Sequence, residues 1–280
     1  MAFSIEKISS LVNNRPIACL FLILALSLTL RVSRCFLTGR IDKDSVMYIA
    51  IAKGMAHDDL KYAFEINPRI PPLYIFGMSA GEKIGIGARV AGIIISVIAG
   101  SLLPLALFMA ALKIFKDYKL ALLSALMATV HPFLIRMSAD IMRDSLFMSA
   151  FAFSFAFAVI AGTDKRILSW YWALSGFFAG LAAMTRSEGV EVLFAIIIWF
   201  GVEGLLKISK FREFRNILLR AAVSISIFIV VFGITTLPVE YALRDSSSEW
   251  HAMDRRVVGY LENFFRKQRD VLVRSGGDQE

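Results

Sequence analysis

What most constrains this chain is a series of seven apolar runs separated by short charged segments. They are Pro16–Leu30 (extendable to Leu37), Val90–Leu112, Leu120–Ile135, Ser145–Thr163, Ile167–Thr185, Gly189–Leu206 and Ala221–Val239. About 20 apolar residues in a helix cross the roughly 30 Å hydrocarbon layer of a bilayer. Inside that layer no water satisfies a peptide N–H or C=O, so each run must close its own hydrogen bonds as a helix. The chain is 57% hydrophobic, with a mean hydropathy of +0.65, above what a soluble globular domain shows. The expected fold is all-α: a polytopic membrane helix bundle of about seven transmembrane helices.

The charged segments set the expected orientation. Lys and Arg total 31 against 23 Asp and Glu, a net charge of +8. In a soluble chain that excess would point to nucleic acid; here it follows membrane topology. Alternate loops carry Lys113, Lys116 and Lys119, then Lys165 and Arg166, then Lys207, Lys210, Arg212, Arg215 and Arg220, all on the side of Lys7 and Arg15. Basic loops stay in the cytoplasm. The N-terminus is therefore expected inside, and the loops at 38–89, 136–144 and 186–188 outside. Seven spans then leave the C-terminus outside, in a multi-pass protein of the cell (inner) membrane with membrane lipids as partners and no nucleic acid. The first run reads as an uncleaved anchor, with Arg31 and Arg34 snorkelling to the interface. Trp170, Tyr171 and Trp172 read as an aromatic belt. Cys19 and Cys35 stand about 24 Å apart along a helix, too far to bond each other.

Residues 1–240 are thus expected as one transmembrane domain with a first outward loop, 38–89, folded on the membrane surface. Within that loop Pro71-Pro72 is expected to deny helix and force an extended turn. Residues 241–280 form a short outward tail. Ser246-Ser247-Ser248-Glu249 reads as a capping box. Trp250, Met253, Val257, Leu261, Phe264 and Phe265 then recur at helical spacing beside Arg255, Arg256, Arg266 and Lys267, the pattern of a basic amphipathic helix on an anionic surface.

The chemistry is expected in the outward loops. In Ile41-Asp42-Lys43-Asp44-Ser45-Val46-Met47-Tyr48, two carboxylates fall within three residues, and Asp44, Tyr48 and Ala52 line one face of a helix. Asp44 reads as a catalytic base at the mouth of a membrane-embedded site, or else as a solvated loop carboxylate ahead of an interfacial helix. The other outward loops add Asp140, Arg143 and Asp144, then Arg186, Glu188 and Glu191. Arginine pairs bidentately with phosphate oxygens and a carboxylate takes a proton, so this set suits a phosphate plus a base. With no GxxxxGK[ST] and no GxGxxG after a strand, a lipid-linked phosphate is a more natural ligand than a nucleotide.

Four segments together resemble the integral-membrane GT-C-type glycosyltransferases that use polyprenyl-phosphate sugars, a group that includes the protein O-mannosyltransferases of glycosyltransferase family 39 and the lipid A aminoarabinose transferase. Asp42-Lys43-Asp44-Ser45-Val46-Met47-Tyr48 is similar to their first-loop acidic motif, with Ser45 where an acid or small apolar residue is usual. Pro71-Pro72-Leu73-Tyr74 with Gly85, Gly87 and Arg89 is similar to their surface segment. Pro132 through Asp144 is similar to their second outward loop, and Gly180-Leu-Ala-Ala-Met-Thr-Arg186 to a segment that ends in a base. The resemblance implies a GT-C-like bundle, short for the family, and an inverting transfer from a polyprenyl-phosphate sugar donor to a lipid, glycan or protein acceptor. It gives Asp44 the role of base and Asp144 that of a second carboxylate at the site. It gives the leaving phosphate to Arg186, with Arg143 or Arg89, and places Tyr48 in the same substrate-binding face. It brings in a divalent metal ion as an option, with Asp42 and His57 as ligands, and a partner subunit that completes the site. The alternative is a non-catalytic multi-span protein, a lipid-sugar binding partner or truncated relative. A transporter is disfavoured, because the second to fifth spans carry no charge in mid-membrane.

Overall fold

A computed structural model describes residues 15–37, 42–57, 66–67, 70–164, 169–206 and 211–246, with backbone alone for 211–214 and 244–246. The expected tail helix and most of the capping box lie outside these residues. Every element among the described residues is helical: α1 Pro16–Leu37, α2 Lys43–Ala56, α3 Pro72–Lys83, α4 Ala88–Phe115, α5 Tyr118–Val130, α6 Pro132–Ala139, α7 Asp144–Thr163, α8 Tyr171–Ala183, α9 Glu191–Leu206 and α10 Phe211–Ser246, with a 3-10 turn over Ser187–Val190 before α9.

Among the described residues, five helical stretches are long and apolar enough to cross a membrane: Pro16–Leu37, Ala88–Phe115, Asp144–Thr163, Ser187–Leu206 and Arg215–Leu243. The expected third span is broken. Its apolar run bends by 55° between α5 and α6, because Pro132 cannot continue the hydrogen-bond ladder and starts a new helix after the extended His131. The expected fifth span holds an apolar helix of only 13 residues, α8, about 20 Å long at 1.5 Å per residue. The protein is accordingly a multi-pass helical membrane bundle, with one bent helix pair and one short helix among the expected seven spans.

α4 is the hub, packed against α1, α3, α5, α6 and α7; α8 joins α7 to α10, and α9 lies on α10. The small residues of α7 make this possible. Ser149, Ala150, Ala152, Ser154, Ala156, Ala158 and Ala161 are its buried face, and small side chains let helix axes approach where lipid offers no hydrophobic drive. Trp172 departs from the expected belt: it is 2% exposed and packs its ring 5.8 Å from Phe200. Only Trp170 faces outward.

Among its described residues the first loop carries two helices, α2 and α3, and Pro71-Pro72 leads into the second rather than making an extended turn. Pro71 is extended, and Pro72 takes the first position of α3, where its missing N–H has no partner to lose. At 14 and 12 residues α2 and α3 are too short to cross a bilayer. They dock on each other and on the bundle through Tyr48, Ile51, Ala52, Met55, Tyr74, Ile75 and Met78, closed over by Ile141 and Leu243. Full burial of each large apolar side chain contributes about 1.5–3 kcal/mol, enough in sum to hold the pair as a fixed cap on one end of the bundle.

Candidate active site

Three separated segments meet under this cap. The first is the start of α2. Asp44 lies in its first turn, exposed, where the helix dipole favours a carboxylate. One turn on, Tyr48 is 3% exposed. Between them Ser45 is buried, and its Oγ donates to Ile141 O at 3.2 Å. That bond ties α2 to the second segment, residues 140–144, and gives a purpose to a serine at this motif position.

The same segment is held from the opposite side. Ser96 Oγ on α4 donates to Met142 O at 3.1 Å, and the Tyr74 hydroxyl stands 3.0 Å from Ser96 Oγ and 3.0 Å from Gly92 O. Tyr74 in turn meets Tyr48 edge-on, with centroids 6.0 Å apart. Fixed this way, the segment delivers Arg143, whose Cζ is 6.0 Å from the Tyr48 ring centroid, within cation–π range. The next residue, Asp144, opens α7.

The third segment follows α8. Leu73 N donates to Met184 O at 3.0 Å, joining the start of α3 to it. Arg186, extended, binds Asp144 Oδ1 through Nη1 and Glu188 Oε1 through Nη2, the latter at 2.7 Å. Its guanidinium also lies 5.5 Å over the Phe147 ring. Glu188 can fold back only because residue 189 is glycine: a Cβ there would stand 2.2 Å from the backbone nitrogen of Ala183.

Electrostatics converge on the Tyr48 hydroxyl. Burial raises it above the ordinary phenol range; Arg143 opposes that, Asp44 and Asp144 add to it, and Arg186 opposes it. Tyr48 therefore stays a neutral hydroxyl beside two carboxylates and two guanidiniums. Arg186 is held firmly protonated, first by its hydrogen bond to Glu188. Asp44 and Arg143 form no salt bridge among the described residues. Among the described residues, then, one guanidinium and one carboxylate without an ion-pair partner both act on the Tyr48 hydroxyl, and Arg186, which acts on it too, already holds two carboxylates.

Of the residues singled out in the sequence, Asp44, Tyr48, Arg143, Asp144 and Arg186 come together. Arg89 is exposed in the first turn of α4, and no ion pair among the described residues joins it to this group. Asp42 and His57 cannot share a metal. They cap opposite ends of the 14-residue α2, about 20 Å apart. Among the described residues no three His, Cys, Asp or Glu side chains group to hold an ion, and the converging oxygens that a hard cation needs are not assembled there. Asp42 instead acts on Asp140, whose carboxyl is raised first by burial and then by that charge, against Arg136 and Arg34. Sequence reasoning missed Tyr74 and Ser96 as site supports. A serine on an apolar helix looks like a packing residue, and of the two only Tyr74 stood in a motif.

A family model described as dolichyl-phosphate-mannose-protein mannosyltransferase matches residues 69–234, more than half of the chain. No curated protein and no solved structure matches. The match covers the second and third segments of the site and leaves Asp44 and Tyr48 outside it, so their place beside Arg143 and Arg186 comes from the fold alone. The chain belongs to the dolichyl-phosphate-mannose-protein mannosyltransferase family.

Proposed function

We propose that the protein is a membrane glycosyltransferase that moves a sugar, with inversion, from a polyprenyl phosphate to an acceptor hydroxyl at the outer face of the cell membrane. The observation that carries this reading is a carboxylate, Asp44, and a guanidinium, Arg143, neither in an ion pair among the described residues, both acting on the one buried phenol of Tyr48. Asp44 takes the proton of the acceptor hydroxyl as the acceptor oxygen bonds to the anomeric carbon. The bond from that carbon to the phosphate oxygen breaks on the opposite side, and its electron pair leaves with the polyprenyl phosphate. Arg143 meets the developing phosphate charge; fixed charges of this kind supply much of the catalysis in such steps. Arg186 already carries two carboxylates, so its first task is to hold Asp144 in place, and it reaches phosphate only by exchanging a partner. The Tyr48 hydroxyl is a neutral donor to sugar or phosphate oxygens. Tyr48, Ser45 and Phe147 give the site one stiff wall. No step here runs through a metal ion.

The test is transfer from a radiolabelled polyprenyl-phosphate mannose in membranes, comparing the intact chain with Asp44→Asn at matched protein level. Label that reaches an acceptor with the intact chain and falls at least about a hundredfold with Asn supports Asp44 as the base, in line with the ordinary contribution of a positioned base. Equal transfer by both would remove Asp44 from the mechanism. Donor retention without transfer by either chain would favour a non-catalytic lipid-sugar binding protein.

A further inference from the structure

The proposed chemistry makes no use of the most deeply buried charged side chain among the described residues. Along α1 only Ser27 and Arg31 are buried, and Arg31 is 0% exposed. Its place in the sequence predicts that it snorkels. It lies less than two turns from the end of α1 at Leu37, so the interface is within reach of its long side chain, yet it turns into the bundle. Nη1 donates to Ser27 Oγ at 2.6 Å and to Ser27 O at 3.1 Å, and Nε donates to Ser138 Oγ at 3.3 Å. No carboxylate pairs with it among the described residues, and Nη2 has no partner there. An uncompensated guanidinium inside a span is costly to keep. Leu or Met would fill the same space without that penalty, so packing alone does not account for it.

What Arg31 holds is Ser138, in the last turn of α6. Ser138 Oγ donates to Leu134 O at 2.7 Å and accepts from Arg31 Nε and, at 3.3 Å, from Ser145 Oγ. Ser145 follows Asp144 directly. One turn beyond Arg31, Cys35 Sγ stands 3.8 Å from Ala139 O, on the same edge of α6. Position 100 on α4 must be glycine for this meeting: a Cβ there would lie 2.0 Å from Ser138 Oγ and 3.0 Å from Arg31 Nε. Four helices, α1, α4, α6 and α7, thus converge on one hydroxyl at the root of the segment that carries Asp140, Arg143 and Asp144. The bend at Pro132 leaves α6 only eight residues long, so that root has little helix of its own to anchor it.

We propose that Arg31 is a positioning residue: through Ser138 and Ser145 it sets residues 140–144 so that Asp144 meets Arg186 and Arg143 lies over Tyr48. The link to transfer rests on the proposed function; the positioning itself does not. Two readouts separate them, both on the full chain in lipid nanodiscs. One is amide exchange across 140–144, where Met142 N is bonded to Asp140 O. The other is binding of polyprenyl-phosphate mannose. Arg31→Met is expected to speed exchange in this segment and to weaken donor binding, each up to about tenfold, the scale at which loss of one hydrogen bond acts. Arg31→Lys, which keeps a donor for Ser138, is expected to recover most of both. If Arg31→Met does not reach the membrane folded, Ser138→Ala reads the same link with the charge left in place, and the same increase in exchange is expected. Exchange across 140–144 unchanged in Arg31→Met and Ser138→Ala overturns the proposal, as does a Lys variant no better than Met. Faster exchange in a chain that binds no donor in any form would keep the positioning role and sink the glycosyltransferase reading.

Discussion

Glycine 189 offers the clearest quantitative test of how the site is built. In Gly189→Ala the new Cβ would stand 2.2 Å from Ala183 N, 2.5 Å from Ala182 C and 2.6 Å from Ala183 Cα. All three are backbone atoms at the end of α8, so no side chain can swing aside. Overpacking a tight site costs about 1–3 kcal/mol, and a backbone neighbour puts this one at the upper end. At about 2–4 °C per kcal/mol for a chain of this size, the unfolding temperature should fall by roughly 6–12 °C. Gly201→Ala is the matched control. It lies inside α9 with nothing within 4 Å of its Cβ, so alanine should raise stability by up to about 1 kcal/mol through helix propensity alone. Tryptophan fluorescence during heating in detergent reads both. The same pair separates at the site, since displacing the 3-10 turn moves Glu188 off Arg186. Equal unfolding temperatures for the two variants, or a Gly189→Ala chain as stable as the parent, would refute the packing argument.

Three further outcomes follow from the geometry. Arg186→Met leaves Asp144 and Glu188 without their partner; with side chains 15% and 26% exposed, the loss should lie between surface and buried pairs, about 1–2 kcal/mol. Lysine should restore only part of it, and a stabilised Met variant in chemical denaturation would contradict the clamp. Asp140 has its carboxyl raised by burial and by Asp42, so the folded chain holds its proton to higher pH than the unfolded chain. Stability then declines as pH rises from the ordinary carboxylate value through the raised one. Asp140→Asn should remove that slope and be the more stable protein at about pH 7; unfolding temperatures measured across that range decide it, and an undiminished slope in the Asn variant would rule it out. Tyr74→Phe removes a hydroxyl shared between Gly92 O and Ser96 Oγ and should cost about 1–2 kcal/mol, while Ser96 still holds Met142. Thermal unfolding of that variant with no loss would mean the relay carries no stability.

Much of this protein was legible in the sequence because a bilayer leaves so few options. Apolar runs of membrane length must be helices, and the charge steps between them mark their ends, so the all-α multi-pass bundle follows from hydropathy alone. The face Asp44–Tyr48–Ala52 was also readable, since four-residue spacing fixes which side chains stack on a helix; the structure runs it from the exposed Asp44 to the buried Ala52. That arginines and carboxylates would gather from the loops after α1, α6 and α8 could be expected from composition, and the fold brings five of the named residues to one place. Which of them pair was not readable. Arg186 takes Asp144 and Glu188, while Arg143 is left over Tyr48, because Gly189 folds a turn back on α8 and Ser45 and Ser96 fix the 140–144 segment from two sides. Period and hydropathy carry no information on such contacts. The same limit explains Arg31, whose position near a helix end read as an interface anchor. Its inward turn depends on a glycine some seventy residues away and on a proline break that brings Ser138 beneath it. Local sequence determined the helices and their faces; close approach between distant segments decided which charges were neutralised and which were left open for chemistry.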